Sequence, residues 1–312
     1  KYPAYGNLVP RDIATREIFD VCVNQKLGIN GENMVYLDLS HKDPHELDVK
    51  LGGIIEIYEK FTGDDPRKVP MKIFPAVHYS MGGLWVDYDQ MTNIPGLFAA
   101  GECDYSQHGA NRLGANSLLS AVFGGSVAGP NAVKYMKGLS THAEDLDDSI
   151  YENEVKLEQE KWEQTLAMKG TENAYLLHKE LGEWMTDNVT VVRYNDKLEE
   201  TDRKIQELME RYENINMDDT QRWSNQGASF TRQLKNMLYL ARVITLGALQ
   251  RNESRGAHYK PDFPERNDEE FMKTTMAKFD PATGAPIIHY EDIDISLVAP
   301  RKRDYSSSKG AK

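Results

Sequence analysis

Apolar positions along the chain fall into four zones of different texture. In residues 1–74 they are interrupted by Gly28, Gly31, Gly52 and Gly53, which predicts helix mixed with short turns. Pro10 suits the first turn of a helix, and Ile13, Ile18, Val21 and Cys22 give that helix an apolar side. Residues 75–137 carry short apolar stretches, Leu84-Trp85-Val86 and Gly96-Leu97-Phe98-Ala99-Ala100, among many glycines, the texture of strands and tight loops. Within that zone, residues 116–136 predict a helix rich in small residues: Ser120, Ala121, Gly124, Gly125, Ser126, Ala128 and Gly129. Such a helix can approach a neighbour closely. Residues 138–250 are helical. Leu198, Ile205, Leu208 and Tyr212 keep helical spacing among charges, as do Leu234, Met237, Leu238, Ala241 and Ile244. A bundle of about three helices is the simplest arrangement. Residues 251–303, rich in Pro, Arg, His and Asp, predict an extended, docking tail, and residues 306–310 predict disorder.

The 312 residues suffice for a sizeable core and more than one domain. Apolar content of 40% and charged content of 28% are ordinary for a globular protein. No apolar run reaches the roughly 18 residues a membrane-spanning helix requires. The opening Lys1-Tyr2-Pro3-Ala4-Tyr5-Gly6 shows neither an initiator Met nor a charged-then-apolar leader, so the chain reads as a fragment. The net charge of −12 repels phosphate backbones and argues against a nucleic-acid partner. The acidic excess is concentrated in the middle of the chain, for example in residues 152–163, which suggests a solvated helical face more than an acidic binding site. Cys22 and Cys103 are far apart and in no metal-binding spacing, which points to a reducing compartment.

Three pieces carry candidate chemistry. In Met91-Thr92-Asn93-Ile94-Pro95-Gly96-Leu97-Phe98-Ala99-Ala100-Gly101-Glu102, a turn and a short buried strand end in Gly and a carboxylate. The carboxylate can accept from sugar or ribityl hydroxyls, and the Gly clears space for a cofactor. The plainer reading is a strand ending in a loop with an exposed Glu. In His108-Gly109-Ala110-Asn111-Arg112-Leu113-Gly114-Ala115-Asn116-Ser117-Leu118-Leu119, small residues flank one Arg and a helix begins, with Asn116 or Ser117 as N-cap. Free N–H groups at a helix start favour anions, such as the N1 and O2 edge of a reduced flavin. The plainer reading is a capped helix with Arg112 on the surface. In His78-Tyr79-Ser80-Met81-Gly82-Gly83, the His before a Gly-Gly turn is by itself an ordinary structural residue. Its company gives it meaning. Arg11, His78, His108 and Arg112 all lie beside turn-rich segments and would suit a dianionic substrate.

Together these pieces resemble the succinate dehydrogenase and fumarate reductase flavoprotein family, with a texture like the Bacillus-type succinate dehydrogenases. Pro10-Arg11-Asp12 and Glu253-Ser254-Arg255-Gly256-Ala257-His258 fit as well, in the expected order. The fold this implies is α+β and multidomain. Residues 1–74 would be the later part of a capping domain and 75–137 the last segment of an FAD-binding α/β domain. Residues 138–250 would be the helical domain and 251–312 a C-terminal extension. The resemblance implies Arg11 as the catalytic proton carrier and His78 and Arg112 as ligands of substrate carboxylates. It implies Glu102, Asn116, Ser117 and Leu118 at FAD, and Na⁺ or K⁺ near Ser80, Met81, Glu102 and Asp104. It also implies an iron–sulfur subunit and a membrane anchor as partners, at the cytoplasmic face of the cell membrane.

The family's opening strand, its Gly-x-Gly-x-x-Gly turn, the histidine that attaches the flavin and the Thr-Glu pair of the cap do not occur in these 312 residues. The chain by itself is therefore expected to be inactive and to bind FAD weakly or not at all. Two alternatives stand beside the dehydrogenase. L-aspartate oxidase resembles the family in fold and shares most of the Arg112 motif. A scaffold or interaction fragment, docking an iron–sulfur partner through residues 255–304, would need no chemistry of its own.

Overall fold

A computed structural model describes residues 9–301. They divide into two compact units, the first made of the residues up to His78 together with Arg301 and the second spanning Tyr79–Pro300. The predicted stretch 306–310 lies outside the described residues.

The first unit opens with helix α1 (Arg11–Phe19), which runs on through a wider helical turn at Asp20–Asn24. Pro10 stands just before the helix, with ψ 145°, and not inside its first turn. Ile13, Phe19 and Cys22 are the buried residues of this segment, so the apolar side is turned slightly from the predicted one. Helix α2 (Pro44–Thr62) starts at Asp43, whose side chain accepts the Glu46 N–H at 2.9 Å, with Pro44 in its first turn. Short strands β1 (Val35–Leu37) and β2 (Met71–Ile73) pair antiparallel, with Tyr36 opposite Lys72.

In the second unit, residues 79–115 form a web of single bridges, not long strands. Leu84 pairs with Asp104 in parallel, and Val86–Thr92 and Met91–Phe98 pair antiparallel. Helix α3 (Asn116–Lys137) follows, with Pro130 inside it. Its small residues do permit a close approach. A Cβ at Gly124 would lie 3.2 Å from the Ala100 Cβ, which puts the helix directly beneath the end of the web.

Four helices follow where about three were expected: α4 (Asp148–Leu166), α5 (Ala174–Met185), α6 (Asn195–Tyr212) and α7 (Gln226–Gln250). The extra one is α4, whose exposed acidic face hides its only buried residues, Thr165 and Leu166, at the C-terminal end. Leu177, Leu181, Ile205, Leu208, Leu234 and Leu238 make the core between α5, α6 and α7. Each is at most 5% exposed. Ile244 lies on the outer side of α7, half exposed, and Thr245 takes the buried position.

The expected extended tail is folded. A short helix α8 (Asp268–Phe271) leads into a hairpin of β3 (Lys273–Asp280) and β4 (Ala285–Asp292), in register from Lys273↔Asp292 to Asp280↔Ala285. The hairpin packs on α7 through Tyr239, whose ring meets Phe279 edge-on. The architecture is thus mixed helix and sheet, with eight helices among the described residues.

Candidate functional site

The candidate residues of the second unit gather at the start of α3. Two loops lie side by side there, residues 80–84 and 101–105. The Leu84 N–H donates to the Cys103 carbonyl at 2.7 Å, and the Tyr105 N–H returns a bond to the Leu84 carbonyl at 3.2 Å. Glycine at position 83 permits this approach, since a Cβ there would stand 2.3 Å from the Cys103 carbonyl oxygen. Glu102 ties the same loops from its side chain: Oε1 accepts the Ser80 N–H at 2.8 Å. Glu102 is otherwise exposed, so its second oxygen stays open to a hydroxyl donor. Asp104 is buried, and its Oδ1 accepts from both the N–H and the hydroxyl of Ser106, at 2.9 and 2.8 Å.

Ser120, buried on the first turns of α3, joins three segments. Its hydroxyl donates to the Ser117 carbonyl at 2.8 Å. With that proton committed, Oγ accepts from His108 Nε2 at 3.0 Å and faces the Tyr79 hydroxyl at 3.4 Å. The Tyr79 and His108 rings meet edge-to-face, 5.2 Å between centroids. Tyr79 in turn carries Arg112, whose guanidinium carbon stands 5.4 Å from the ring centroid. The Arg112 N–H is held by the Met81 sulfur at 2.9 Å, and its guanidinium also donates to the Leu113 carbonyl at 3.0 Å. Among the described residues Arg112 has no carboxylate partner. It is a positioned cation without an anion.

Neither Asn116 nor Ser117 caps α3. Both are inside the helix, and Ala115 holds the N-cap position in a left-handed conformation (φ 64°) with no side-chain hydrogen bond. Side chains cap α2, α4, α5 and α7, at Asp43, Asp147, Asn173 and Asn225. The Asn116 N–H donates to the Leu113 carbonyl at 3.3 Å, while those of Ser117 and Leu118 have no side-chain cap and can face an anion. Leu118, 79% exposed, lies beside them.

Arg11 and His78 belong to the first unit. Arg11 opens α1 and is exposed, while Asp12 beside it faces Arg16 across one turn at 3.9 Å. His78 is exposed and directly precedes Tyr79, where the second unit begins.

Two stretches match known family descriptions: residues 3–118 match "FAD binding domain", and residues 178–305 match "Fumarate reductase flavoprotein C-term". The chain is 78% identical over all 312 residues to the succinate dehydrogenase flavoprotein subunit of Bacillus subtilis and covers 53% of that protein. The chain belongs to the succinate dehydrogenase and fumarate reductase flavoprotein family. The Escherichia coli fumarate reductase flavoprotein subunit is a more distant relative, 34% identical over 282 residues, with 89% of this chain and 46% of that one covered. A solved Escherichia coli quinol fumarate reductase superposes with a TM-score of 0.87 at 31% identity, covering 96% of this chain and 51% of its own. The chain spans about half the length of the curated relatives it matches.

Against that family, sequence patterns had singled out Arg112, Glu102 and the α3 start, but Ser120 only as one small residue in a run of them. Its signal was the three-residue spacing from Ser117. The geometry fits a bound flavin: an open carboxylate oxygen, a glycine-lined loop and an uncapped helix start lie within one group of segments. No group of three or more His, Cys, Asp or Glu side chains is arranged to hold a metal ion among the described residues. No described helix is long and apolar enough to cross a membrane.

Proposed function

We propose that this chain is part of an FAD-dependent succinate dehydrogenase that oxidises succinate to fumarate. The observation that carries this is Arg112. Its guanidinium is shelved on Tyr79 and donates to the Leu113 carbonyl, its backbone N–H is held by Met81, and among the described residues it has no carboxylate partner beside the start of α3. Such a cation suits one carboxylate of a dicarboxylate substrate. His78 is the second proposed ligand of substrate carboxylates, and a cation at a carboxylate stabilises negative charge on the neighbouring carbon as it loses its proton. Arg11, exposed at the start of α1, carries that proton away. FAD, when bound, supplies the two-electron oxidation. Glu102 would accept from its hydroxyls, the N–H groups of Ser117 and Leu118 would face its anionic edge, and Asn116 would lie beside them at the helix start.

The remaining family roles belong to the same proposal. Residues 1–74 supply part of a capping domain, and 75–137 supply part of the FAD-binding domain. Ser80, Met81, Glu102 and Asp104 would hold Na⁺ or K⁺, on the two loops that the parallel bridge between Leu84 and Asp104 joins. Electrons leave to an iron–sulfur subunit and a quinone, and a membrane anchor holds the complex at the cytoplasmic face of the membrane. The test is a substrate panel on the full-length holoenzyme. Succinate should turn over and L-aspartate should not. Preference for aspartate would replace this proposal with the oxidase, and turnover of neither would favour a scaffold.

A further inference from the structure

The segment Glu253-Ser254-Arg255-Gly256-Ala257-His258 has no part in the chemistry above, yet it touches the loop that carries Arg112. The Ala257 N–H donates to the Ala110 carbonyl at 2.8 Å. Gly256 lies so close that a Cβ there would stand 2.5 Å from the Ala110 oxygen, 2.7 Å from its carbon and 2.9 Å from the Asn111 Cβ. We propose that Gly256 and Ala257 are positioning residues for Arg112: they clamp the peptide linking Ala110 to Asn111 and so fix where the guanidinium stands. This rests on the proposed role of Arg112 as a carboxylate ligand.

The clamp is rigid because both of its ends are fastened. Arg255 and His258 exchange backbone hydrogen bonds at 2.8 and 3.1 Å, which closes a tight turn over Gly256 (φ 59°) and Ala257. The Arg255 guanidinium donates to both oxygens of Glu253, at 2.8 and 2.9 Å, and to Asp268 at 2.7 Å. Glu253 is fully buried and also accepts from Arg251 Nε at 2.8 Å and from the Asn267 N–H at 2.9 Å. His258 is held between Arg193 and the Arg251 carbonyl. The turn therefore stands on a buried ionic base, with its tip against Ala110.

The Arg112 loop has few ties of its own. They are the Asn111 N–H to the His108 carbonyl and the Asn116 N–H to the Leu113 carbonyl, each at 3.3 Å, and the Arg112 contacts to Met81, Leu113 and the Tyr79 ring. A carboxylate ligand must be held to within about 0.5 Å of its working position. The bond from Ala257 supplies what the loop lacks, and a side chain at position 256 would push the loop away.

Gly284 provides the control. It too has a left-handed backbone, φ 65°, but a Cβ there meets nothing within 4 Å. Alanine at either glycine carries the same backbone strain, and only at 256 does it collide. In the full-length holoenzyme, the probe is malonate, a dicarboxylate with no adjacent pair of methylenes to oxidise. Gly256→Ala should raise the malonate Kd and the succinate KM about tenfold each, with flavin content retained. Gly284→Ala should leave both unchanged. The proposal is overturned if Gly256→Ala leaves both constants unchanged, or if Gly284→Ala raises them equally. Where Gly256→Ala does not fold, Asp268→Asn loosens Arg255 without adding an atom at the turn. It should raise the malonate Kd about threefold, and an unchanged Kd overturns the proposal. Arg112→Ala separates the two levels. If it abolishes malonate binding while Gly256→Ala has no effect, only the clamp falls; if it leaves binding intact, the carboxylate role falls and the clamp with it.

Discussion

Ser120 shows how one hydroxyl joins parts of the chain that lie far apart in sequence. It satisfies the Ser117 carbonyl and accepts from His108, and Tyr79 and Arg112 stack on the same cluster. Ser120→Ala leaves the half-buried His108 N–H without this partner and the Ser117 carbonyl without its donor. The expected cost is about 1–3 kcal/mol, read by denaturant unfolding of the chain. The three-residue spacing from Ser117 hints at the local bond alone, because the rest of its role depends on loops some 12 and 41 residues away. Arg112 and Glu102 stand out in the sequence because each is a charge among small residues, and the structure brings both near the start of α3; His78 stands out only by its company and lies exposed in the first unit. The α3 start was read as a helix, but its cap was misjudged: the left-handed Ala115 is a conformation that no local pattern announces. For Arg11, the proposed role predicts that Arg11→Lys in the full-length enzyme lowers succinate kcat by about tenfold or more, since lysine does not reproduce a guanidinium's planar donor set. Near-normal turnover would remove Arg11 from proton transfer.

The helices divide by how cleanly they alternate between core and water. Helix α6 was legible almost residue by residue: Leu198, Ile205, Leu208 and Tyr212 are all at most 5% exposed. Leu208→Ala should cost about 2–5 kcal/mol, because the core of α5, α6 and α7 closes around it, and thermal unfolding would show the loss. Helix α4 was read correctly as a solvated acidic face but not as a separate helix, since it buries only its last turn. The hairpin of β3 and β4 was missed for a different reason. Its strands are half-buried to exposed and carry Lys273, Lys278, Pro286 and Asp292, so alternation is blurred and composition suggests an extended tail. Asp280 makes the turn: its carboxylate accepts from the Ala282 N–H at 3.0 Å and the Thr283 hydroxyl at 2.8 Å, and Gly284 takes the left-handed position.

For the molecule as a whole, the buried ionic base near residues 251–268 sets the response to acid. Burial first, and then the neighbouring Arg193, pushes the His258 imidazole down to about 3 from its ordinary 6.5. The folded chain therefore keeps His258 neutral where an unfolded chain would protonate it. Stability is lost as pH falls from 6.5 towards 3, by on the order of 3 kcal/mol. For Glu253, burial opposes ionisation, but hydrogen bonds from Arg255, the Asn267 N–H and Arg251 prevail and hold its carboxyl below the ordinary 4.5. Its contribution is present above the unfolded value and lost in the same direction. Melting temperature should thus drop steeply below pH 6, and His258→Gln should flatten that slope. An unchanged slope would show that His258 already binds its proton in the fold. The measurement that bears most directly on the whole account is succinate kcat/KM in the full-length holoenzyme carrying Arg112→Lys. A fall of about a hundredfold or more, with flavin content retained, is predicted, because lysine keeps the charge but loses the planar fork and the stacking on Tyr79. A kcat/KM within about twofold of the unmodified enzyme would contradict it.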